Sequence, residues 1–176
     1  MKYIWTVANV LSLALGLAAA PVPWPPTPSD IVWCKLLKIG APIVADSPST
    51  PIHGLQLSVD TATPTLVGKG FTGSYDFISG GIGAWRGCHD YWLNIGTSPY
   101  SYKPLTWDFD YKVTTTWTAS AGSLVRAGAT ADYLATNTFL VCNQTGWVVY
   151  LQTGTDVPPG VTCYITQLKV NTFTFP

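Results

Sequence analysis

The chain has 176 residues, nine basic and nine acidic side chains, and a charged fraction of 10%, far below the usual ~25%. No basic stripe is present to neutralise phosphates, which argues against a nucleic-acid partner. Glutamate is absent, and Lys, Leu and Ala are sparse after the first twenty residues, which argues against long amphipathic helices. Thr, Val, Tyr, Trp and Gly are plentiful instead, the composition of strands and turns.

In chain order, the first element is a secretory signal. Lys2 supplies a positive charge, and residues 3–20 form an uncharged, mostly apolar run. Four leucines lie within residues 10–17, and Gly16, Ala18, Ala19 and Ala20 close the run with small side chains. This is the order of a cleavable signal peptide. Cleavage after Ala18 satisfies the small-x-small rule and keeps Pro21 away from the scissile bond. A membrane anchor is the competing reading. A spanning helix needs ~20 apolar residues, and the core of this run is shorter, with no positive flank behind it. Residues 171–176 are too polar for the tail of a lipid-anchor signal.

Removing residues 1–18 from 176 leaves 158, the size of one domain, and takes Lys2 away, so the net charge moves from 0 to about −1. Residues 19–29 are a Pro-rich lead-in around Trp24. Residues 30–176 are expected to form a single β domain. Residues 31–39 are an apolar strand candidate. Leu55, Leu57 and Val59 alternate with polar residues at the period of a half-buried strand. Tyr75 and Phe77, residues 91–95 and residues 105–118 continue the pattern. Residues 139–142, 147–151, 161–170 and 172–175 complete it. Turn clusters fall at residues 79–83, 94–99, 119–123 and 157–160, and residues 127–135 are the one short helix candidate. Short strands with such punctuation predict an all-β fold, an antiparallel sandwich or barrel.

Cys34, Cys88, Cys142 and Cys163 form an even set behind a signal peptide, which reads as two disulfides. Of the three connectivities, Cys34–Cys88 with Cys142–Cys163 is favoured, because the second pair flanks the adjacent strand candidates 139–142 and 147–151. No cysteine pair has the short spacing of zinc ligands, and only His53 and His89 could assist. No metal or other cofactor is expected.

Three motifs carry candidate chemistry. Asn143-Gln144-Thr145 is an N-glycosylation sequon between two strands, or else an ordinary polar turn. Trp85-Arg86-Gly87-Cys88-His89-Asp90-Tyr91-Trp92 concentrates aromatics beside a His-Asp pair. A triad would need a serine, and no Gly-x-Ser-x-Gly motif occurs. A sugar site would use Trp85, Tyr91 or Trp92 as stacking platforms, and the plainer reading is core packing around a disulfide. In Trp107-Asp108-Phe109-Asp110-Tyr111, three aromatics alternate with two aspartates. Carboxylates of Asp108 and Asp110 on one face, ~7 Å apart, fall within the ~5–9.5 Å range of glycosidase pairs. Two acids on one strand are more often a solvated face or a weak Ca²⁺ site. Pro99, Tyr100, Tyr102 and Pro104 form a stretch suited to presenting tyrosines outward.

Pro51-Ile52-His53-Gly54-Leu55-Gln56-Leu57 and the region 139–170 resemble small secreted fungal cell-wall proteins of the phialide type (PhiA-like), a group that includes secreted IgE-binding antigens. The carrying residues are Phe139-Leu140-Val141-Cys142, Trp147-Val148-Val149-Tyr150-Leu151, Cys163 and the apolar strand 165–170. The resemblance implies a secreted or wall-associated, non-catalytic protein and carries no active-site residues. The expected function is therefore a non-catalytic cell-wall or surface protein, with cell-wall polysaccharide or wall proteins as partners. A carbohydrate-binding or effector-type module is the alternative, and a glycan hydrolase the third.

Overall fold

The computed structural model describes residues 41–68, 75–78, 80–86, 89–109, 116–119 and 122–171. The expected signal peptide, the Pro-rich lead-in, the strand candidate 31–39, Cys34, Cys88, Asp110 and the candidate 172–175 lie outside the described residues. Within them the fold is all-β. Its strands are β1 (Ile43–Asp46), β2 (Gln56–Ser58), β3 (Thr65–Val67), β4 (Tyr75–Ile78), β5 (Gly81–Arg86) and β6 (His89–Ile95). They continue with β7 (Tyr102–Asp108), β8 (Trp117–Thr118), β9 (Arg126–Ala127), β10 (Phe139–Gln144), β11 (Gly146–Gln152) and β12 (Cys163–Val170).

Of sandwich and barrel, the chain adopts the barrel. Six antiparallel strands close in the order β10-β12-β1-β2-β3-β11, with β11 returning to β10. Alternation drives the closure. Ile43, Ala45, Leu57, Leu66, Phe139, Val141, Val149, Leu151, Leu168 and Val170 share one apolar core. Each large side chain buried there contributes roughly 1.5–3 kcal/mol relative to exposure. Trp147 and Tyr164 pack edge to face at 5.8 Å against the same core.

The expected link between Cys142 and Cys163 is present and ties β10 to β12. The two residues are direct cross-strand partners. The neighbouring Asn143 N–H donates to the Thr162 carbonyl at 2.9 Å, so the cysteines occupy the closely spaced, non-hydrogen-bonded pair position. Their Cα atoms stand 4.0 Å apart.

Beyond the barrel, β7, β6, β5 and β4 extend from β11 as a four-stranded wing. β11 reaches both: Trp147 and Val148 pair with β3, while Tyr150, Leu151 and Gln152 pair with β7. Prolines mark the divergence. The Val149 N–H donates to the Pro64 carbonyl just before β3 begins, and Pro104 stands opposite Tyr150 on β7. Neither proline has an N–H with which to continue a ladder. The wing's inner face packs on the barrel through buried polar anchors. The Trp107 indole donates to the Ser58 carbonyl at 2.9 Å, and the Tyr75 hydroxyl donates to the Leu57 carbonyl. The two rings stack at 5.7 Å. Trp117 donates to the Leu93 carbonyl at 3.0 Å and stacks on Phe139.

Several local expectations need correction. Residues 127–135 form no helix. Ala127 and Thr136 exchange backbone hydrogen bonds of 2.8 and 3.0 Å, closing a loop. Gly128, Thr130 and Asp132 disfavour helix, and the buried Ala127 already belongs to β9. The turn expected at residues 79–83 is shorter, with Gly80 at φ +80° and residues from Gly81 onward in β5. Asn94 and Ile95 end β6 rather than starting a turn. Residues 105–118 are not one strand, since β7 ends at Asp108 and Trp117 opens β8.

Candidate functional site

The wing's register sorts the aromatic and acidic motifs. On a strand, successive side chains point to opposite faces. Gly83 stands opposite both Asp76 on β4 and Trp92 on β6, and Trp92 stands opposite Asp108 on β7. Asp76, Gly83, Trp92 and Asp108 thus form one row across four strands, on the face turned away from the core. Trp85 and Asp90 are direct partners in the next row, and Asn94 and Thr106 in the row on the other side. Two separate sequence motifs, the Trp85–Trp92 cluster and Asp108, therefore share one surface.

Trp92 lies down on this surface because β5 offers no side chain beneath it. A Cβ built on Gly83 would meet the six-membered ring of the Trp92 indole at 3.3–3.6 Å. The glycine that looked like turn punctuation is a seat for an aromatic ring. Both Trp85 and Trp92 are half-buried, and Asp90 is exposed. The Trp85 indole N–H donates to the Asp76 carboxylate. Burial and, more weakly, the charge of Asp90 hold the Asp76 carboxyl above its ordinary range, and the Trp85 hydrogen bond partly offsets them. Asp108 is fixed on the same face: its Oδ2 accepts from Asn94 Nδ2 at 2.9 Å and from Thr106 Oγ1 at 2.8 Å.

Tyr91 is not part of this group. It faces the other way, opposite Ala84, with the Arg86 guanidinium 5.7 Å from its ring centroid and Phe109 edge-on at 6.0 Å. His89 also contacts Phe109, at 5.4 Å. Because His89 and Asp90 are adjacent on β6, they point to opposite faces and cannot form a His-Asp dyad. Trp107 and Trp117 are buried and serve packing. Tyr100 and Tyr102 stack in parallel at 5.1 Å, with Tyr150 edge-on to Tyr102 at 5.5 Å. Of the expected loop stretch, only Pro99 and Tyr100 lie before β7, which already begins at Tyr102. Asn143 is exposed beside the tight β10–β11 turn, where Gly146 takes φ +104°.

Sequence reasoning misses Asp76 and Asn94. The signal for both is alternation: Asp76 separates the inward Tyr75 and Phe77, and Asn94 separates Leu93 and Ile95. No group of three or more His, Cys, Asp or Glu that could hold a metal occurs among the described residues. Among them, no helix is long and apolar enough to cross a membrane. No protein-family model, curated protein or solved structure matches this chain.

Proposed function

We propose that the protein is a secreted, non-catalytic cell-wall or surface-associated protein that grips polysaccharide on the outer face of the wing. One observation carries the reading: Trp92 lies seated on Gly83 in a row with Asp76 and Asp108, with Trp85 beside it. Aromatic faces stack on the apolar faces of sugar rings, while fixed carboxylates accept hydrogen bonds from hydroxyls. The Cys142–Cys163 link suits an oxidising compartment, and the exposed Asn143 sequon suits glycosylation there. The signal-like leader and the resemblance to phialide-type wall proteins point the same way.

Hydrolysis fits less well. Asp76 and Asp108 stand three inter-strand spacings apart, ~14 Å. Asp90, diagonal to Asp108 on the next strand, is nearer at ~7–8 Å. Both, however, project side by side from one sheet face instead of flanking a sugar, and Asp108 is already committed to Asn94 and Thr106. Paired glycosidase carboxylates sit within ~5–9.5 Å.

Retention on insoluble chitin, β-glucan and mannan tests the proposal. Wild-type protein is expected on at least one matrix, with retention reduced in Trp85→Ala and Trp92→Ala. Failure to bind all three, or undiminished binding by the double variant, would overturn it. Recovery of the protein only inside cells, with its leader uncut, would refute secretion.

A further inference from the structure

The divergence of β3 and β7 from β11 leaves a crevice of about 640 Å³ between them. Thr61, Thr63, Thr65 and Thr106 line it, with Gln144 and Tyr150 at the β11 side. Among the described residues, no charged side chain lines it. A phosphate or carboxylate ligand would be desolvated there with no counter-charge, at a cost that neutral hydroxyls cannot offset. A purely apolar ligand would strip water from the threonine hydroxyls without replacing their hydrogen bonds. An uncharged polyhydroxylated ring meets neither penalty. Its hydroxyls can pair with the threonines, and its apolar face can lie against Pro104 and the Tyr150 ring. Tyr150 is held for this contact, since its hydroxyl donates to Gln144 Oε1 at 3.2 Å and its ring meets Tyr102.

The crevice is also continuous with the wing face. Tyr102, Pro104, Thr106 and Asp108 alternate onto one side of β7, and Tyr150 is the cross-strand partner of Pro104. Thr106 therefore lines the crevice while donating to Asp108 in the tryptophan row. From β4 to β11 this surface spans four inter-strand spacings, ~19 Å.

We infer that the crevice is a second subsite for a neutral sugar, and that it lengthens the binding track of the wing face so that one extended glycan chain occupies both. The extension rests on the wing-face reading, whereas the crevice site itself does not. An anionic polysaccharide is disfavoured at both ends, in the crevice by the lack of counter-charge among the described residues and on the wing face by Asp76, Asp90 and Asp108.

Calorimetric titration of the full chain with β-glucan and chitin oligosaccharides of two to six residues tests the inference. Affinity is expected to rise with length. Tyr150→Ala and Thr63→Arg are expected to weaken the six-residue ligand about ten-fold, the scale of one or two lost contacts, and to leave the two-residue ligand unchanged. Thr63 is exposed, so its variant keeps the test valid if Tyr150→Ala fails to fold. Equal affinity for short and long ligands, full affinity in the Thr63→Arg variant, or no binding of any oligomer overturns the inference. Weakening by the crevice variants with none by Trp85→Ala and Trp92→Ala supports the crevice as a sugar site and removes the wing-face reading.

Discussion

In the barrel, every strand edge is used and the alternating pattern points large aliphatic residues into a shared interior. In the wing, the inner face repeats that arrangement with Tyr75, Ile82, Leu93 and Trp107, while the outer face carries Asp76, Trp85, Trp92, Asn94 and Asp108. The same two-residue period thus yields a container in one region and a two-sided plate in the other. The wing's inner residues already bury a large apolar area, so the outer tryptophans and aspartates stay partly exposed. The comparison teaches that the tryptophans to suspect of binding are those out of phase with the core.

Core truncation should separate the two regions most strongly. Phe139→Ala empties a fully buried site that touches Trp117 and is expected to cost ~3–5 kcal/mol, read by urea unfolding. Replacing both Cys142 and Cys163 with Ala is expected to cost ~2–4 kcal/mol through the restored freedom of the unfolded chain. Binding to polysaccharide should persist, because the wing does not contain the link. A parallel loss of binding and stability would show that the wing cannot hold its register without the staple.

Trp107→Phe keeps most of the packing but leaves the Ser58 carbonyl without its indole donor. A loss of ~1–3 kcal/mol is expected, with one cooperative transition if barrel and wing unfold together. Two transitions would mean that the seam is weaker than its hydrogen bonds indicate.

The smallest effect concerns pH. The Asp76 carboxyl is raised above its ordinary value of 3.8, first by burial. The folded state therefore binds this proton more tightly than the unfolded chain. The corresponding stability is complete below that ordinary value and is lost as pH rises through the higher folded value. Asp76→Asn should flatten this decline. Thermal midpoints measured from pH 3 to 7 check it, and identical slopes for the two proteins would remove Asp76 as the source.

Much of the barrel was legible because its strands are long and alternate well, as at residues 139–142 and 147–151. β1 and β3 were not, since Ile43–Asp46 and Thr65–Val67 are short and bury only one or two residues each. Their place depends on pairing with β12 and β11, far along the chain, which no local pattern records. Gly81 and Gly83 misled for a chemical reason: glycine marks turns by its backbone freedom, and here it serves by lacking a side chain under Trp92. In the candidate site, Trp85, Trp92 and Asp108 were visible as residue types. Their convergence was not, because it depends on a register that one residue of slip would invert. That inversion would place Tyr91, rather than Trp92, on the outer face.

The way β11 serves three neighbours has a kinetic consequence. The wing's strands are joined by short hairpins, so β4 to β7 can pair soon after they are made. The barrel cannot close until β12 arrives near the C-terminus and supplies the partner of both β1 and β10. Contacts between such distant segments form slowly. Until they form, β1 and β10 present open edges to other chains, a state prone to aggregation. Loss of the last few strand residues should accordingly reduce the yield of folded protein far more than trimming an equal length from a surface loop.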